Sequence, residues 1–185
     1  MNELEQGLKY QDGINNALSA ACSSFRGTVS VDRYKNLILS MLFLKYLSDI
    51  WQDYYGDYES VYDSEQELIE DKRVNLKFYL PCEANFYNLY QHRHQPGNGM
   101  RINWAFHILE KVNGPQLKDD GISVFQHRSF ITHEFGEGKQ IDPIFCRLLE
   151  DFAIPELILK PSRIGAFDVV GRAFEYLLEH FAVSV

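Results

Sequence analysis

The 185 residues suit one domain, and with 45% hydrophobic residues, including 13 Phe and 11 Tyr, they can bury a sizeable core. A formal net charge of −8 and a sequence pI near 5.2 argue against a free-standing protein that holds nucleic acid by bulk attraction to phosphates. Any DNA contact by such a chain is local or shared with a partner.

Cys22, Cys82 and Cys146 are far apart, with no CxxC spacing, and an odd count does not suit a disulfide framework, so reduced cytosol is the simplest compartment. The N-terminus, Met1-Asn2-Glu3-Leu4-Glu5, lacks the basic start and apolar run of a secretion signal. The longest apolar stretch, Leu37 to Leu44, is interrupted only by Ser40 and is far short of a membrane span. A cytoplasmic protein with no membrane partner is expected.

In chain order, Ile14, Ala17, Leu18, Ala21 and Phe25 fall on one helical face between Asp12 and Phe25, with Gly27 as the stop. The next helix starts near Ser30 or Asp32, either able to cap it, and runs through Tyr34, Leu37, Ile38, Met41, Leu42, Leu44, Leu47, Ile50 and Trp51. Because Leu37 to Leu44 is apolar nearly all round, this helix is expected to be covered on most sides, as in a bundle. From Asp49 to Asp71 there are nine acidic residues and no Lys or Arg, which reads as a solvated acidic edge. Tyr54, Tyr55, Tyr58 and Tyr62 lie in or beside that stretch and are read as packing residues rather than as a binding surface.

Leu76-Lys77-Phe78-Tyr79-Leu80-Pro81 is expected to be extended and to feed a helical turn at Ala84 to Tyr90. His92 to Gly99 has the composition of an exposed loop. The helix after it carries Ile102, Ala105, Phe106, Leu109 and Val112 on one face, with Asn113-Gly114-Pro115 as its stop. Periodicity fails from Leu117 to Gln140, where Gly121, Gly136 and Gly138 mark turns and Ile122 to Phe125 are extended. Asp142-Pro143 reads as N-cap and N1 of a helix bearing Ile144, Phe145, Leu148, Leu149 and Phe152, stopped before Pro155. The last helix is capped by Asp168 and buries Val170, Ala173, Phe174, Leu177, Leu178 and Phe181. The fold class is all-α, a multi-helix bundle with room for one short β-hairpin or extended segments. That the final helix runs almost to Val185 without a polar tail or a Gly or Pro stop points to a longer polypeptide divided at a domain boundary.

Chemistry is hard to find in these residues. His92, His94, His107, His127, His133 and His180 form no HExxH or similar pair and are read as surface histidines, and the acidic run lacks the calcium-loop ladder, so no metal is predicted. Gly136-Glu137-Gly138-Lys139 lacks Walker spacing and reads as a turn. No G-x-S-x-G elbow occurs, no cysteine has a basic neighbourhood, and Asp119-Asp120 reads as a solvated pair. Arg26, beside Gly27, reads as a cation at a helix C-terminus.

The run Phe25-Arg26-Gly27, followed by Tyr34-Lys35-Asn36-Leu37-Ile38-Leu39-Ser40-Met41-Leu42-Phe43-Leu44-Lys45-Tyr46-Leu47-Ser48-Asp49, resembles the opening of the modification (M) subunit of type I restriction-modification DNA methyltransferases. Phe78-Tyr79-Leu80-Pro81, Ile108-Leu109-Glu110-Lys111-Val112-Asn113 and Asp168-Val169-Val170-Gly171-Arg172-Ala173-Phe174-Glu175-Tyr176-Leu177-Leu178 extend the resemblance over nearly the whole chain. In that family a helical N-terminal domain precedes an S-adenosylmethionine domain that methylates adenine at N6. The resemblance implies that residues 1–185 are that single helical domain, with the catalytic domain expected to follow Val185. The family's FxGxG-type cofactor loop and NPPF/Y tetrapeptide have no counterpart here, so no catalytic, cofactor or metal residue carries over, and the residues contacting DNA or partners stay unassigned. The partners implied are the specificity (S) subunit, a second M subunit and the restriction (R) subunit, with DNA held by the assembly. Two alternatives of other classes stand beside it. One is a free-standing helical module binding a basic partner through the Asp49 to Asp71 edge, and the other a small metal-dependent hydrolase using the histidines.

Overall fold

A computed structural model describes residues 3–27, 29–56, 78–119, 141–165 and 168–183. They form seven α-helices, numbered here in chain order: α1 (Glu3–Ser23), α2 (Val31–Tyr55), α3 (Phe86–Gln91), α4 (Asn98–Asp119), α5 (Asp142–Phe152), α6 (Pro161–Ile164) and α7 (Val169–Val183). Two 3-10 turns, Cys82–Ala84 and Pro155–Leu157, precede α3 and α6. No strand occurs among the described residues, so the all-helical reading holds there. The acidic run beyond Gly56, Tyr58, Tyr62, the turns at Gly121, Gly136 and Gly138, His127 and His133 lie outside the described residues. No described helix is long and apolar enough to cross a membrane.

Helix α2 is the axis of the bundle. Leu37, Ile38, Met41, Leu42 and Leu44 are buried, as are Ser40 among them and Lys45 just after, which is what a helix apolar on every face requires. Ser30 takes its N-cap position in extended backbone, without a side-chain bond to the first turn. Helix α1 starts at Glu3, earlier than the apolar periodicity indicates, and packs Ile14, Ala17, Leu18, Ala21 and Phe25 inward. Gly27, at φ 79°, reverses the chain after α1 in the left-handed region that glycine enters without cost. Phe25 then stacks on Tyr34 with ring centroids 5.4 Å apart, and Tyr34 meets Phe181 edge-on at 5.9 Å, joining α1, α2 and α7. Cys22 is buried here, and desolvation pushes its thiol up to about 12, so it behaves as a small apolar side chain rather than a nucleophile.

Four expectations change. Helix α4 does not stop at Asn113-Gly114-Pro115 but carries Pro115 inside it and reaches Asp119. Buried Asn113 explains the continuation: its side chain accepts from Tyr79 N (2.8 Å) and donates to Tyr79 O (2.8 Å) and Leu109 O (3.0 Å), while buried Leu117 anchors the last turn. Val112, expected inside, is partly exposed. Second, Asp142 is the first residue of α5, not its N-cap; Ile141 holds that position. The Asp142 carboxylate instead accepts from Gly97 N (2.9 Å) and Asn98 N (3.0 Å), capping the start of α4 from a neighbouring helix. Third, the stretch His92 to Gly99 is not all exposed loop, because Asn98 and Gly99 are buried in the first turn of α4.

The fourth change concerns α7. Asp168 does cap it, accepting from Gly171 N at 2.9 Å, and a Cβ at Gly171 would collide with that carboxylate. The buried face is Val169, Ala173, Leu177 and Phe181, whereas Val170 and Phe174 are half-buried and Leu178 is 57% exposed. Consecutive helical residues are about 100° apart, so Leu177 and Leu178 cannot both face the core. Contact with α1 and α2 selects the first.

Candidate functional site

Four polar side chains on α2 face the same way. Lys45, Asp49 and Asp53 are spaced i, i+4, i+8, with Ser48 beside Asp49, and all meet the chain leaving the 3-10 turns. Lys45 Nζ donates to Asp49 Oδ2 at 2.5 Å and to Leu157 O at 2.9 Å. Asp49 Oδ2 also accepts from Leu159 N at 2.6 Å, and Oδ1 accepts from the Tyr87 hydroxyl. Lys45 Nζ lies 3.5 Å from that hydroxyl and sits over the Phe86 and Tyr87 rings at 5.5 and 5.4 Å from their centroids. Ser48 Oγ donates to Leu44 O at 2.8 Å and accepts from Phe86 N at 2.9 Å. One turn on, Asp53 accepts from Ser162 N at 2.7 Å and from Ser162 Oγ at 2.6 Å, capping α6.

The same few residues therefore fasten α3, the Pro155–Leu157 turn and α6 to the central helix. Burial explains the electrostatics. Desolvation lowers the Lys45 ammonium below the usual lysine range, and the Asp49 charge and its hydrogen bond oppose that shift. Both side chains are essentially inaccessible, at 2% for Lys45 and 0% for Asp49. Asp49 already accepts three hydrogen bonds and both side chains are buried, so the pair acts as an internal clasp rather than an acid and base.

Asp49 thus does not belong to a solvated acidic edge. Asp53 is also engaged, accepting two hydrogen bonds from Ser162, so both carboxylates hold the fold together. Of the tyrosines beside them, Tyr55 packs on Trp51 with centroids 5.0 Å apart, as expected, whereas Tyr54 is exposed. A Lys and an Asp four residues apart within or beside an apolar run are the visible trace of the clasp, since charges on such a helix survive only in pairs.

The histidines do not converge. His92 Nδ1 lies 2.8 Å from Asn88 O at the end of α3, His107 lies 5.7 Å from the Trp104 ring on the exposed face of α4, and His180 sits beside Tyr176 and Phe181. His94 alone of the described histidines meets other metal-ligating groups: its Nδ1 is 3.7 Å from Cys146 Sγ, which is 3.9 Å from Glu150 Oε1. Burial raises the Cys146 thiol above its ordinary value, the Glu150 carboxylate adds to this, and Arg93 opposes it.

A family model described as the HsdM N-terminal domain matches residues 14–152. The chain belongs to this family. The matched HsdM segment runs from the first core residue of α1 to the last of α5, and so includes Lys45, Ser48, Asp49, Asp53 and Tyr87 of the clasp but not Leu157, Leu159 or Ser162. The fold is also similar to the crystal structure of the type I restriction-modification system methyltransferase subunit from Streptococcus thermophilus, with a TM-score of 0.72 at 18% identity. That similarity covers 95% of this chain and 39% of the other, so the HsdM N-terminal fold here spans well under half the length of that subunit. No curated protein matches the chain.

Proposed function

We propose that this chain is the non-catalytic N-terminal domain of the M subunit of a type I restriction-modification DNA methyltransferase. The observation that carries the reading is the match of residues 14–152 to the HsdM N-terminal domain. In this reading the parent subunit transfers a methyl group from S-adenosylmethionine to adenine N6, using a cofactor loop and a catalytic tetrapeptide in a domain after Val185. The domain itself helps the subunit enclose DNA and pack against the S subunit and a second M subunit, in a cytoplasmic complex that also recruits the R subunit. A charge of −8 suits a part whose DNA affinity is supplied by the whole assembly. The internal clasp supports a scaffold role, because its charged groups are spent on holding helices together.

The experiment is co-expression of the full M subunit with its S subunit, followed by light scattering with and without target DNA. The expected species holds two M subunits and one S subunit and retains DNA. An M subunit that stays monomeric and apart from S would overturn the proposal.

A further inference from the structure

The turn between α3 and α4 and the middle of α5 bring together three ligating side chains that the clasp does not use. We infer that His94, Cys146 and Glu150 form a binding site for one divalent ion of the zinc class, with its fourth position left to water. All three ligand atoms lie within 4.8 Å of one another. The Nδ1 to Sγ and Sγ to Oε1 separations are 3.7 and 3.9 Å, at the long end of hydrogen bonds that involve sulfur. They are close to the edge of a zinc tetrahedron, which is about 3.5 Å when sulfur binds at about 2.3 Å and nitrogen or oxygen at about 2.0 Å. One small ion fits among the three once the His94 and Glu150 ligand atoms, which lie within 4.8 Å of each other, close to about 3.3 Å, the spacing of two ligands bound at about 2.0 Å.

The donor set selects the class of ion. Imidazole nitrogen, thiolate and carboxylate are the mixed ligands of a borderline-soft cation, whereas calcium and magnesium favour oxygen alone. Cys146 and Glu150 are i, i+4 on α5 and share a face, and the third ligand comes from a turn already tied down on several sides. Arg101 donates to His92 O (2.9 Å), Gln95 O (2.9 Å) and Pro96 O (2.8 Å), Asn98 Nδ2 donates to Arg93 O (2.6 Å), and Asp142 accepts from Gly97 N and Asn98 N. Gly97, at φ 88°, closes that turn. The backbone of His94 is thus preset, and little ordering is left for the ion to impose. Arg93 Nε lies 3.4 Å from Glu150 Oε1 with its guanidinium over the Tyr90 ring, which places it as the outer partner that orients the carboxylate. On binding, the Cys146 thiol proton passes to solvent and the Sγ electron pair enters the metal bond. The ion then ties the turn to α5, where Asp142 already joins the same two elements.

The test uses the full-length protein expressed without an affinity tag and titrated with zinc(II) alone, then with cobalt(II) as a spectroscopic stand-in. The expected result is one equivalent bound, with a thiolate-to-cobalt charge-transfer band that C146S abolishes and C82S leaves intact. H94Q and E150Q, at exposed positions that leave the helical circular dichroism unchanged, each weaken zinc binding by more than about tenfold. Absence of stoichiometric zinc binding, survival of the band in C146S, or unchanged affinity in both H94Q and E150Q would overturn the proposal.

Discussion

Replacing Asp49 with Ala destabilises the protein by about 3–5 kcal/mol, because it leaves the Lys45 ammonium buried without its counter-charge. The loss exceeds that of a single hydrogen bond for a structural reason. Asp49 is also the acceptor for Leu159 N and the Tyr87 hydroxyl, so its removal orphans donors on two other segments. Replacing the pair with apolar residues, K45M with D49L, removes both charges together and costs far less than the sum of K45M and D49L measured singly. Urea unfolding of the four proteins of this cycle measures the coupling. Additive losses would mean that the two side chains do not depend on each other, and the clasp would be only a pair of independent contacts.

Leu42→Ala costs about 2–5 kcal/mol, since Leu42 is fully buried at the centre of α2 and its truncation leaves a cavity between helices. Leu178→Ala changes stability by less than about 0.5 kcal/mol, because that side chain is mostly exposed on α7. The contrast tests the arrangement of α2 and the rotational setting of α7 in one denaturation series. A loss under about 1 kcal/mol at Leu42 would place α2 at the surface, and a large loss at Leu178 would turn α7 over.

What the residues declare locally and what only the folded chain decides separate cleanly here. The central position of α2 is legible because Leu37 to Leu44 leaves no polar face, and a helix with no polar face has only the interior to go to. The Asp168 cap, the Gly27 reversal and the apolar stripe of α5 are equally local, each set by residues within one turn. The setting of α7 is not, because Val169-Val170, Ala173-Phe174 and Leu177-Leu178 offer two adjacent apolar stripes, and the packing against α1 and α2 chooses between them. Pro115 misleads for the opposite reason: its missing N–H weakens one turn, but Asn113 and Leu117 hold that turn to its neighbours.

The polar residues are fixed by partners far away in sequence. Asp142 sits where a cap for α5 belongs and spends its carboxylate on α4, a pairing made across the fold. Asp49 begins an acidic stretch in sequence yet points inward, because Lys45 one turn earlier, with Leu159 N and Tyr87, supplies partners that no local pattern reveals. The His94, Cys146 and Glu150 group is invisible to spacing rules for the same reason, since 52 residues separate the histidine from the cysteine. The family resemblance of Tyr34 to Asp49 therefore rests on residues that build the bundle: Tyr34 bridges three helices and Lys45, Ser48 and Asp49 fasten three more segments.

We propose that this fold serves a DNA adenine methyltransferase without performing the reaction. The most direct measurement is transfer of a labelled methyl group from S-adenosylmethionine to adenine in DNA, comparing residues 1–185 alone with the full M subunit paired with its S subunit. Transfer by the paired full subunit and none by residues 1–185 is expected. Methylation by residues 1–185 alone, or an inert full subunit in the presence of S, would contradict it.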